Sequence, residues 1–209
     1  MHTPDPEALP PAAALDRAAA IGPPGPVIAV TGLSGAGKTT LISGAVEQLR
    51  RSGWRPAVVK HAHHGFDLDR PGKDSYRVRE AGAEQVLIVS AQRWALLSET
   101  PTEERDDLLS ERLRALDWAR TDIVLAEGFR HSGAGKLVVD SVRSRPADYR
   151  ADPAVLAVAT DDPATVPDRL PCLDLDDHRQ VAAFLIRCAR GMIERMGVTP
   201  HAFINPENQ

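Results

Sequence analysis

Apolar positions along this chain fall into two patterns that alternate. Short, nearly continuous apolar runs occur at 27–31, 57–59, 86–89, 94–97, 123–126 and 155–159. Such runs suit strands hidden on both faces, as in a parallel sheet covered by helices. Other segments repeat with helical spacing. Within 38–49, Leu41, Ile42, Ala45, Val46 and Leu49 share one face, and Gly53 marks the exit. Residues 74–81 predict a helix stopped by Gly82, and 181–193 a closing amphipathic helix. Thr100, Pro101 and Glu103 form a helix start with a capping box, for a helix running to about Leu116. Residues 137–142 alternate more and predict an edge or antiparallel strand. Strands alternating with helices predict an α/β fold, a P-loop NTPase-like three-layer sandwich with a mostly parallel sheet.

Composition narrows the picture. A chain of 209 residues with 43% hydrophobic content supports one domain with a sizeable core. The net charge of -4, with acids and bases interspersed, offers no basic stripe for nucleic acid. Cys172 and Cys188 lie far apart without a CxxC pair and read as buried free thiols. No apolar run reaches the roughly 18 residues of a membrane span. Prolines 4, 6, 10, 11, 23, 24 and 26 crowd the start, with alanines between. Residues 1–26 are therefore expected to be a disordered Pro/Ala-rich tail with at most a helical turn around 12–20. No basic segment precedes an apolar core there, so a signal peptide is not expected, and the cytoplasm is the expected location. The expected nucleotide-binding domain is 27–196, followed by a loosely held tail, 197–209.

Gly32-Leu33-Ser34-Gly35-Ala36-Gly37-Lys38-Thr39, followed by Thr40, matches GxxxxGK[ST] in full. A buried strand precedes it and a helix follows. Glycines let successive N–H groups turn inward on phosphate oxygens, and the helix N-terminus adds partial positive charge. Lys38 reaches the β- and γ-phosphates, and the Thr39 hydroxyl is a Mg²⁺ ligand. The letters recur at Gly133-Ala134-Gly135-Lys136, but no Ser or Thr follows. That stretch predicts a loop from which Lys136 approaches a ligand. A phosphate loop also needs a carboxylate at the end of a neighbouring core strand. Glu127 has that position, as metal ligand or water-orienting group, whereas Asp122 begins the same strand at its far end. The guanine-reading Asn-Lys-x-Asp motif is absent, since the asparagines are Asn205 and Asn208. Asp161 follows the 155–159 strand and is either a base acceptor or a turn cap.

Lys60-His61-Ala62-His63-His64 follows the second strand. Three histidines this close suit either an anionic ligand or, with Asp67 and Asp69, a metal. Arg70, Lys73, Arg77 and Arg79 offer either a second phosphate contact or a solvated charged face. Arg93-Trp94 offers a stacking surface or a core side chain.

Taken together, these motifs are recognisable. The 60–64 run, Asp67 to Asp69, Pro71-Gly72-Lys73-Asp74-Ser75-Tyr76, Arg79 to Ala83, Gln92-Arg93-Trp94-Ala95-Leu96, Glu99-Thr100-Pro101 and Ala126-Glu127-Gly128-Phe129-Arg130 resemble the MobB family, in the same order from about Val27 to Ile193. These are GTP-binding adapters of molybdopterin-guanine dinucleotide biosynthesis. The resemblance implies a homodimeric P-loop protein with weak GTPase activity. It would assist the molybdenum cofactor guanylyltransferase that joins GMP to molybdopterin, with molybdopterin a further possible ligand. It extends site roles to Lys60, His61, His64 and Asp74, and matches Lys136 and Arg143 to a basic pair. Departures are the extension before Pro26, Ala62 in place of a polar residue, and Arg130 in place of a lysine. Two other readings stay open at this point. One is a small-molecule kinase using Asp67 or Asp69 as base. The other is a metal-handling chaperone using His61, His63 and His64.

Overall fold

The computed structural model describes residues 7, 9–20, 24–62, 68–99, 108–142 and 149–198. Its contacts gather into two units, Met1–His61 with Asp106–Gln209, and Ala62–Arg105.

The larger unit is built on six parallel strands. In chain order they are β1 (Val27–Thr31), β2 (Pro56–Lys60), β5 (Ile123–Glu127), β6 (Gly135–Asp140), β7 (Val155–Thr160) and β8 (Cys172–Asp174), ordered β2-β5-β1-β6-β7-β8. The continuous apolar runs are explained by cover on both faces. Every residue of β1, β5, β6 and β7 is buried. The strand pleat sends alternate residues into different cores. Ile28, Val30, Leu125, Leu137 and Val139 pack with α1 (Ala12–Ala19), α2 (Lys38–Arg51) and α5 (His178–Met196). Val27, Ala29, Val124 and Ala126 pack on the opposite face with Leu109 and Leu113. Leu109 belongs to the short α4 (Leu108–Arg112), and Leu113 to the 3-10 turn that follows. This is the expected three-layer α/β sandwich.

Several expectations change. Residues 137–142 were expected at an edge or antiparallel; β6 instead runs parallel between β1 and β7 in the sheet interior. Its alternation reflects buried polar pairs rather than solvent. Lys136 pairs with Asp152 at 2.5 Å, and the Tyr149 hydroxyl donates to Asp140. The 133–136 loop is also corrected, because Gly135 and Lys136 open β6 and Ala134 is fully buried. Only seven residues separate β5 from β6, shorter than the usual parallel crossover. The register explains why they suffice. Glu127 pairs with Val30 and Gly135 with Ile28, so the chain steps back two residues while passing over β1. Within the expected N-terminal tail, α1 is formed and packed. It buries Ala14, Leu15 and Ala18, and Arg195 pairs with Asp16 at 2.5 Å. Small alanines let it lie close to β6, where a Cβ on Gly135 would meet Ala18 at 2.9 Å. The closing helix α5 is longer than expected, because Asp177 caps it three residues earlier by accepting from the N–H groups of Arg179 and Gln180. The caps expected for the 100–116 helix lie outside the described residues. Strand β8, three residues long, was not anticipated.

The smaller unit holds α3 (Asp74–Glu80) and an antiparallel hairpin of β3 (Gln85–Val89) and β4 (Trp94–Ser98). Leu87 faces Leu96 and Val89 faces Trp94 across it, and all four side chains are exposed.

Candidate nucleotide site

Strand β1 delivers the chain into the phosphate loop at the carboxyl edge of the sheet, where an open α/β sheet takes its ligands. Gly32 has φ 144°, and a Cβ there would lie 2.4 Å from the Val139 carbonyl oxygen, so the loop presses directly on β6. Gly37, with φ 95°, precedes α2 and brings no side chain to cap it. The first-turn N–H groups of α2 therefore face an incoming anion uncapped. The Lys38 ammonium folds over the loop and donates to the carbonyl oxygens of Gly32 at 2.9 Å and Leu33 at 2.7 Å. Burial pushes the Lys38 pKa below its ordinary value; Glu127 opposes that shift and Lys60 adds to it.

Strands β5 and β2 bring up the acid and a second base. The Thr39 hydroxyl donates to Glu127 Oε1 at 2.8 Å across 88 residues of sequence. Lys60 Nζ lies 3.2 Å from Glu127 Oε2. Lys60 and Glu127 are register partners, and His61 N–H donates to the Glu127 carbonyl at 3.0 Å, so the backbone fixes this pair side by side. Glu127 is nearly buried, which keeps its carboxylate in one place. A hydroxyl and a carboxylate in mutual contact at the head of α2 are the oxygen donors a hard divalent cation takes beside phosphate. The residues present therefore fit Mg²⁺. Asp122 lies at the other end of β5 and is committed there, accepting from Arg55 at the backbone N–H (2.8 Å), Nε (3.0 Å) and Nη2 (2.7 Å).

The family model described as "Molybdopterin guanine dinucleotide synthesis protein B" matches residues 27–161. This chain belongs to the MobB family. It is 42% identical over 165 residues to a "Molybdopterin-guanine dinucleotide biosynthesis adapter protein" of Escherichia coli (strain K12), covering 77% of this chain and 91% of that protein. It is 37% identical to the Haemophilus influenzae protein of the same name, covering 77% and 87%. A crystal structure of molybdopterin-guanine biosynthesis protein B superposes with TM-score 0.55 at 27% identity, over 77% of this chain and 97% of that one. Bacillus subtilis MobB gives TM-score 0.56 at 25% identity, over 77% and 95%.

Several residues singled out in the sequence lie in or beside the phosphate site of this MobB chain, and others do not. Ser34, Gly35, Ala36 and Thr40 belong to the loop and the first turn of α2. His61 stacks on Phe129, ring centroids 5.1 Å apart, at the end of β2. Phe129 follows Gly128, and both have positive φ (52° and 92°), which turns the chain sharply after Glu127. Sequence reasoning named the Glu-Gly-Phe motif but not this stack; the aromatic next to a turning glycine was the available signal. His63, His64, Asp67 and Arg143 lie outside the described residues. No cluster of three metal-ligating side chains occurs among the described ones. Asp69 serves a turn, accepting from Arg70 N–H at 2.9 Å and Ser75 hydroxyl at 3.0 Å. Asp74, Lys73 and Arg77 belong to α3 or its entrance in the smaller unit. Trp94 is exposed rather than core. Asp161 accepts from the Ser141 hydroxyl at 3.0 Å and Val142 N–H at 2.8 Å, one bond to each carboxylate oxygen. It braces the exit of β6, which is the cap reading. Lys136 is committed elsewhere: it is the second residue of β6, level with Ala29, and its ammonium pairs with Asp152 at 2.5 Å.

Proposed function

We propose that this chain is a GTP-binding adapter in molybdopterin-guanine dinucleotide biosynthesis, with slow GTP hydrolysis. The observation that carries the reading is the Thr39–Glu127 hydrogen bond beneath a complete phosphate loop. The curated names of its relatives support the pathway. Gly32, Ser34, Gly35, Ala36 and Gly37 line the phosphates with backbone N–H groups. Lys38 leaves the Gly32 and Leu33 carbonyls for the β- and γ-phosphates. Thr39 and Glu127 would hold Mg²⁺, which would supply positive charge to offset that of the phosphates. Glu127 also orients water for in-line attack, while Lys38 and the loop N–H groups stabilise the charge that develops. Slow turnover fits the engagement of Arg130 elsewhere. Arg130 donates to its neighbour His131 at 2.8 Å. His61 stands beside the site at the end of β2, and Lys60 meets it through Glu127. Roles for His64 and Asp74 rest on the family resemblance alone, and Asp161 is assigned to support the loop nearest the base.

The partner is the guanylyltransferase that joins GMP to molybdopterin, in the cytoplasm, with molybdopterin a further ligand. Among the described residues no helix is long and apolar enough to cross a membrane. A homodimer is supported by the β3–β4 hairpin. Two strands alone are marginal in water, yet Leu87, Val89, Trp94 and Leu96 expose one apolar face. A second copy of the same hairpin is the occupant we assign to it.

The test is calorimetric titration with GTP and with ATP, each with Mg²⁺, beside a Lys38→Ala variant. Binding that prefers GTP and vanishes in the variant supports the reading. Preference for ATP removes the guanine assignment, and binding that survives in the variant removes the phosphate-loop assignment.

A further inference from the structure

The carboxylate that a metal would need is held at both oxygens by the chain itself. Glu127 Oε1 carries the Thr39 hydroxyl and Oε2 the Lys60 ammonium. The two contacts differ in kind. Thr39 is itself a metal donor, so its contact with Glu127 assembles the site. Lys60 is a cation, so its contact competes with any other cation for the same oxygen. The competition is built into the backbone, because β2 and β5 pair Lys60 with Glu127 in register and the His61 N–H bond locks the strand ends together. It is also reversible. The Glu127 side chain is 11% exposed and stays put, whereas that of Lys60 is 58% exposed and can swing into water. The same ammonium is close enough to Lys38 to add to the downward shift of its pKa.

Resting on the nucleotide reading above, we propose that Lys60 is a positioning residue that competes with Mg²⁺ for Glu127 and so sets the Mg²⁺ concentration at which the loop takes a nucleoside triphosphate. When Mg²⁺ takes Oε2, Lys60 leaves it, and no covalent step is involved. Removing the ammonium makes the carboxylate cheaper for the metal to claim. Replacing it with another cation does not.

The experiment is a Mg²⁺ titration of a fluorescent, non-hydrolysable guanine triphosphate analogue bound to the full chain. Wild type is compared with Lys60→Met, Lys60→Ala and Lys60→Arg. Met keeps the aliphatic stem, and thermal melting checks that each variant is folded. In Lys60→Met and Lys60→Ala the half-saturating Mg²⁺ concentration falls by about threefold to fivefold, the scale of one partly exposed ion pair. In Lys60→Arg it stays at or above the wild-type value. An unchanged or raised midpoint in both neutral variants, with the analogue still bound, overturns the role of Lys60. Failure of wild type to bind the analogue at any Mg²⁺ concentration overturns the nucleotide reading itself, a distinct result.

Discussion

Adding one methyl group to the phosphate loop has two different consequences three residues apart. Gly35 has φ 79°, and nothing lies within 4 Å of a Cβ built there. Gly35→Ala meets only the left-handed backbone, about 1–2 kcal/mol. The narrower unfolded ensemble of alanine returns about 0.4–1 kcal/mol, for a net loss of about 1 kcal/mol. Gly32 has φ 144°, in a region populated almost only by glycine, and its Cβ would sit 2.4 Å from the backbone oxygen of Val139. The sparsely populated backbone adds about 1–3 kcal/mol. Relieving the overlap needs a movement of nearly 1 Å between β1 and β6, both wholly buried. Overpacking of that kind costs about 1–3 kcal/mol. Gly32→Ala should therefore lose about 3–4 kcal/mol, lowering Tm by roughly 8–15 °C for a chain of this size, against roughly 2–4 °C for Gly35→Ala. Urea denaturation with matched slopes gives the difference directly. If the two variants fall within about 1 kcal/mol of each other, the close approach of loop and strand does not govern the site, and the reasoning fails.

Other consequences are as specific. Burial raises the Cys172 thiol to about 11 and the Cys188 thiol further still, so thiolate is scarce at neutral pH. Neither should react with a thiol-specific disulfide reagent in the folded protein, and both should react once it is denatured. Asp152→Ala leaves the nearly buried Lys136 ammonium unpaired and also removes an acceptor from Ala154 N–H. It should lose about 2–3 kcal/mol by urea denaturation, more than Lys136→Met, whose partner is partly hydrated. Nucleotide affinity should be unchanged in both, because the pair stands at the amino end of β6. Asp161→Ala frees the Ser141–Val142 turn, and calorimetry should show GTP and ATP affinities falling together. A change in their ratio would make Asp161 a base-reading group instead.

The family, the sandwich and the phosphate loop could be read from the chain alone, because local physics carries them. Continuous apolar runs need cover on both faces, helical spacing needs one, and the glycines of 32–37 stand where the backbone takes conformations that side chains resist. Glu127 was legible for a related reason: a carboxylate ending a buried strand has few other places to be. Tertiary structure decided what depends on strand order and register. Lys136 shares its GAGK letters with Lys38, yet the short crossover after β5 sets it inside the sheet as the second residue of β6, level with Ala29 and paired with Asp152. The alternation of β6 looked like an edge strand because sequence does not reveal that its polar residues find partners inside. The alanines of α1 looked like tail composition until α5 and β6 provided a surface close enough to bury them. Lys60 meets Glu127 only because β2 lies beside β5 in register, 67 residues away in sequence. Local preferences act within a few residues, whereas these contacts form between segments that only the folded sheet brings together.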